Sequence, residues 1–100
     1  MAQIQYSERP PEKRHEMVRR SPFEVRMDVL RVTAEGCSNP TQIMYRSNTS
    51  WLILQKNLQA LIASGFVLQS SDRSRLTYSV TQSGSAIARD YRNLVHLANA

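Results

Sequence analysis

The 100-residue sequence holds a single cysteine, Cys37, and two widely separated histidines, His15 and His96. An intrachain disulfide is therefore impossible, and no Cys/His spacing suggests a metal site, so neither metal nor cofactor is expected. No run of about 18 apolar residues is present to cross a bilayer, and the N-terminus carries charge where a signal peptide needs an apolar core. These gaps predict a protein of the reducing cytoplasm. Ser/His/Asp, Cys/His and paired-carboxylate constellations are missing as well, which together with the small size argues against an enzyme.

Acidic residues are the other shortage. Eight Asp and Glu stand against 13 Lys and Arg, giving a formal net charge of +5 and a pI near 10.0. That balance favours a polyanionic partner such as nucleic acid. A chain of this length makes one domain with one modest core, burying roughly 60–70% of the surface its unfolded form would expose.

What is present is organised around Asn39 to Val67. Asn39 can cap a short helix with Pro40 at its first position, running to about Arg46. Ser47, Asn48 and Thr49, whose side chains bond nearby backbone, mark both a break and the cap of a second, longer helix from about Thr49, which Gly65 ends. Upstream, Ser21-Pro22-Phe23-Glu24 is a capping-box start for a helix that places Val25, Val29 and Val32 in one apolar row and stops near Gly36. Cys37 then sits in a loop as a small apolar residue. Phe66 to Ser70 and Leu76 to Val80 read as two strands of a hairpin with the polar tip Ser71-Asp72-Arg73-Ser74-Arg75. Thr81 or Ser83 opens a last helix to about Leu97. The expected fold is mainly α with a small β-hairpin, in the order α-α-α-β-β-α.

Three regions follow. Residues 1–20, with Arg9, Lys13, Arg14, Arg19 and Arg20 against Glu8, Glu12 and Glu16, read as a basic, flexible arm that could lie along phosphates. Residues 21–82 form the helix-turn-helix and hairpin. Residues 83–100 form a C-terminal helix whose apolar row, Ile87, Tyr91, Leu94 and Val95 with Ala98, suits pairing with a second copy.

In the third helix, Trp51, Leu54, Leu58, Leu61 and Ile62 recur at spacings of three and four and predict a buried stripe. The face left over holds Ser50, Ile53, Lys56, Asn57 and Gln59, with Thr49 and Gln55 at its margins. Hydroxyls and amides can bond base edges or phosphates, and lysine can reach either. Arg46 at the end of the second helix, and Arg73 and Arg75 on the hairpin, complete a set suited to duplex DNA, with the third helix in the major groove and the hairpin on the flank. Leu52 or Ile53 must face something other than the core: a thymine methyl group, a partner subunit, or plain solvent, which for one residue needs no explanation.

These residues resemble a family. The stretch TQIMYRSNTSWLILQKNLQALIASGFV, followed by LTYSVTQSGSAI, is similar to archaeal winged helix-turn-helix proteins. Their pattern reads roughly T-x-I-M-Y-x-x-N-x-S-[YW], then L-x-x-L-x-x-x-G-[LF]-[IV], then Y-x-[LV]-T-x-x-G. The match runs through Thr41, Ile43, Met44, Tyr45, Asn48, Ser50, Trp51, Leu58, Leu61, Gly65, Phe66, Val67, Tyr78, Val80, Thr81 and Gly84. The resemblance implies a winged-helix DNA-binding fold, a homodimer built through the C-terminal helix, and a role as a transcription regulator or a nucleoid-associated chromatin protein. Gln42 stands where the family commonly has Arg or Lys, which weakens a phosphate contact there. The other class of reading is an adaptor that binds proteins through Leu52 and Ile53.

Overall fold

The computed structural model describes residues 20–99. The expectation of a basic arm over residues 1–20 therefore lies outside the described residues, except at Arg20. The order is α1 (Pro22–Ala34), α2 (Pro40–Ser47), α3 (Trp51–Ala63), β1 (Val67–Asp72), β2 (Arg75–Val80) and α4 (Gln82–Ala98). This is the expected arrangement of three helices, a hairpin and a helix.

Local chemistry sets each boundary. Ser21 Oγ accepts from Glu24 N–H at 3.1 Å while the Glu24 carboxylate accepts from Ser21 N–H at 2.9 Å, closing the capping box of α1. Hydrogen bonding to its carboxylate from the Ser21 backbone N–H, and after it from the Ser21 side chain, holds the Glu24 carboxyl below the ordinary carboxylate range. Asn39 Oδ1 accepts from Thr41 and Gln42 N–H at the start of α2. Asn48 then takes the left-handed conformation, φ 59°, that turns the chain out of α2. The cap of α3 is Ser50 rather than Thr49: its Oγ accepts from Ile53 N–H at 3.2 Å, and the helix begins at Trp51. Thr81 Oγ1 caps α4 through Gly84 N–H and also donates to Gly65 O at 2.7 Å, so one hydroxyl ties the exit of α3 to the entry of α4.

One core lies among α1, α3, the start of β1 and α4. Val29, Leu30 and Val32 of α1 meet Ile43 of α2, Leu54, Leu58 and Leu61 of α3, Val67, Tyr78 and Ala88, with Cys37 closing the α1–α2 corner. Val25 is only half-buried, so the buried face of α1 is centred one step later than its valine row suggests. Because Ala88 belongs to this core, the first half of α4 is built into the domain. The hairpin pairs Val67 with Val80 and Gln69 with Tyr78, which puts Tyr78 on the core side, where burial raises its hydroxyl pKa above the ordinary value. Tyr78 N–H donates to Ser38 O at 3.0 Å, so the α1–α2 loop lies along β2. Among the described residues, no helix is long and apolar enough to cross a membrane.

Candidate nucleic-acid interface

The turn between α2 and α3 is fixed from within. Ser47 is buried and donates to Ile43 O at 2.6 Å, with Thr49 Oγ1 3.2 Å from its oxygen. Arg20 reaches across from the front of α1, donating to Ser47 O at 2.9 Å and Asn48 O at 2.7 Å while pairing with Asp28 at 2.7 Å. A cation on the last carbonyls of α2 suits the helix dipole and satisfies acceptors that the helix leaves unpaired. Arg20 thus belongs to the domain, a role invisible in sequence because its partners lie 27 and 28 positions away.

With the turn fixed, the rotation of α3 follows from its buried residues, Leu54, Asn57, Leu58 and Leu61. At about 100° per residue, the direction opposite these is taken by Leu52, Lys56 and Gln59, with Trp51 and Gln55 on one edge and Ile53 and Ala60 on the other. Two expectations change. Trp51 does not join the buried stripe; it is 51% exposed at the first turn of the helix, beside the 69% exposed Leu52. Asn57 does not lie on the open face: it is 7% exposed, its Oδ1 accepts from Arg26 Nε at 3.0 Å, and its Nδ2 donates to Ile53 O at 2.8 Å. Both errors have one cause. Residue type groups tryptophan with the aliphatic row and asparagine with the polar one, whereas the helix is rotated so that the asparagine fills an inward position.

The remaining predicted residues fall as follows. Ser50 is exposed at the helix start, its lone pair used in the cap and its O–H still able to donate. Thr49 is half-buried in the turn, Ile53 is at the edge of the open face, and Lys56 is exposed at its centre. Arg46 is exposed and pairs with Glu35 at 3.4 Å, an exposed ion pair that can open at little cost. The hairpin tip is shorter than expected, only Arg73 and Ser74, both with positive φ, 52° and 68°; Arg75 is the first residue of β2, opposite Asp72. Of the set, α3 itself brings together Ser50, Ile53 and Lys56, and the wing brings together Arg73 and Arg75. Tyr45 is exposed on α2, in reach of solvent or phosphate as its place beside Arg46 suggests, and Arg26 of α1 joins the set only through its bond to Asn57.

On α4, Gly84 and Ala88 face inward and Tyr91 is half-buried, its ring edge-on to Phe23 at 5.6 Å. Ile87, Leu94, Val95 and Leu97 are exposed.

Three helices, a left-handed turn into a capped third helix, and a two-stranded wing define a winged helix-turn-helix. Residues 19–99 match the winged helix-turn-helix family, and the chain belongs to it. It is 34% identical over 64 residues to the uncharacterized protein MJ0287 of Methanocaldococcus jannaschii, covering 64% of this chain and 66% of that one. Among solved structures it resembles Sso10a-2, a DNA-binding protein from Sulfolobus solfataricus, with TM-score 0.70 and 20% identity over 80% of this chain and 83% of that one. It also resembles Lactococcus lactis ZitR in complex with DNA, with TM-score 0.62 and 19% identity over 69% of this chain and 49% of that one. The chain therefore spans about half the length of ZitR and just under two thirds of the Methanocaldococcus relative.

Proposed function

We propose that this protein binds double-stranded DNA as a homodimer and regulates transcription, with α3 in the major groove and the β1–β2 wing on the flanking backbone. The observation that carries the reading is the outward side of α3, which is unpacked, free of carboxylates and centred on Lys56. A helix that carries no acid and leaves its outward side open can approach phosphates without repulsion. Arg73 and Arg75 extend the positive surface to the wing, and the description of Sso10a-2 as DNA-binding and of ZitR as bound to DNA supports the assignment. The dimer reading rests on the apolar residues α4 leaves exposed.

The test is fluorescence anisotropy with genomic fragments at graded salt. If about six phosphates are neutralised, affinity falls roughly a thousandfold between 50 and 200 mM salt; a flat response rejects the proposal. Lys56→Ala and Arg73→Ala weaken binding while leaving the melting temperature unchanged, because neither side chain is in the core. Selection from random DNA separates a regulator, which returns a palindrome, from an architectural chromatin protein, which returns little enrichment. The exposed Tyr45, Trp51 and Leu52 favour a second reading, an adaptor docking a protein partner. On that reading Leu52→Ala abolishes protein capture, and the DNA response is the flat one.

A further inference from the structure

Arg26 projects from α1, the helix behind the helix-turn-helix, yet its guanidinium is tied to α3. Its Nε donates to Asn57 Oδ1 at 3.0 Å, and the same amide is held from its other end by the Ile53 carbonyl at 2.8 Å. Arg26 and Lys56 both line a cavity of about 300 Å³ between the start of α1 and the flank of α3, walled by Pro22, Val25 and Ile53. No carboxylate lines it. Arg20, which also reaches it, has its charge answered by Asp28, just as Arg31 and Arg46 are answered by Asp28 and Glu35. Among the described residues, Arg26 and Lys56 have no carboxylate within ion-pairing distance.

Building on the DNA-binding reading above, we infer that Arg26 and Lys56 form a site for a backbone phosphate of duplex DNA beside the groove that α3 enters, with Asn57 as the positioning residue for Arg26. The choice of amide is informative. An aspartate at 57 would hold the guanidinium as firmly but cancel its charge, whereas asparagine orients Arg26 and leaves a full positive charge facing outward. With Nε engaged, the terminal nitrogens remain for the phosphate oxygens, a geometry arginine suits because its donors form a rigid fork. The wall of Pro22, Val25 and Ile53 offers apolar surface to the sugar next to that phosphate.

The experiment measures binding of a duplex oligonucleotide by the full chain from 50 to 300 mM NaCl, with melting temperatures in parallel. Arg26→Ala lowers the magnitude of the log–log salt slope by about 0.9 per subunit, about 1.8 for a homodimer, and weakens binding roughly fivefold per subunit at fixed salt. Arg26→Lys restores the slope but not the full affinity, since lysine keeps the charge and loses the amide contact. Asn57→Asp lowers the slope as Arg26→Ala does; if that buried change unfolds the protein, the two Arg26 variants decide alone. A wild-type slope in Arg26→Ala, in a protein that still binds DNA steeply, overturns this site and leaves the DNA-binding proposal standing. Absence of salt-dependent DNA binding in the wild type overturns both.

Discussion

Gly84 shows how much of a motif can be packing. A Cβ at this position would overlap the backbone carbonyl of Phe66, so the first turn of α4 can approach the start of β1 only without a side chain. Gly84→Ala therefore forces the two apart at a cost of about 1–3 kcal/mol. In a thermal melt this reads as a drop of roughly 4–8 °C per kcal/mol, with the salt slope of DNA binding unchanged. The wing tip makes the opposite case. Arg73 and Ser74 both sit at positive φ, where a two-residue hairpin prefers Asn and Gly. Ser74→Gly should stabilise the fold by up to about 1 kcal/mol. Arg73→Asn should also relieve strain but weaken DNA binding, so a variant that melts higher yet binds as tightly as wild type removes the wing from the interface. At this scale the sequence was readable where a side chain acts on its own neighbourhood: the caps Ser21, Asn39 and Thr81, and the buried Cys37. It was unreadable for Asn57 and Arg20, whose partners are set only when α1 meets α2 and α3.

The helices were legible as elements because their ends are local events, while their rotations were not. The boundaries of α2 and α4 fall within about a residue of expectation because proline, asparagine and threonine act within one turn. The facing of α3 depends on three neighbours at once, and the run Trp51-Leu52-Ile53-Leu54 offers no internal clue to which residue points inward. Only Leu54 is buried. For α1 the capping box gives a measurable signature. Ser21→Ala removes an acceptor from the first turn and should cost about 1 kcal/mol. The Glu24 carboxyl is held below its ordinary value in the folded state, so its contribution is complete above the unfolded-state pKa and is lost as pH falls through the lowered folded one. Acid titration of stability should show this loss in the wild type. In Glu24→Gln it should be absent; an identical acid profile for the two proteins would mean the box does not stabilise the helix in solution.

For the whole molecule, the proposed homodimer turns on the exposed side of α4. Its inward residues are accounted for within one copy, Gly84 against Phe66 and Ala88 and half of Tyr91 toward the core and α1, but Leu94 and Leu97 are 64% and 72% exposed, with Ile87 beside them. Phe23, edge-on to Tyr91, continues the apolar strip from α4 onto the start of α1. In the proposed homodimer this strip would meet its own copy across a two-fold axis, the commonest way soluble chains associate. On that proposal a two-fold would also place two α3 helices one DNA turn apart, about 34 Å, to read both halves of a palindrome. Folding is then linked to association, so the melting temperature of the wild type should rise with protein concentration. Leu94→Glu introduces a charge into the strip without touching the core residues of the domain. It should sediment as a monomer, melt at a temperature independent of concentration, and bind DNA with about half the wild-type salt slope, because each complex then neutralises half as many phosphates. A wild type that sediments as a monomer at tens of micromolar, or a Leu94→Glu variant with an undiminished slope, would separate DNA binding from pairing and leave the strip on α4 open to another partner.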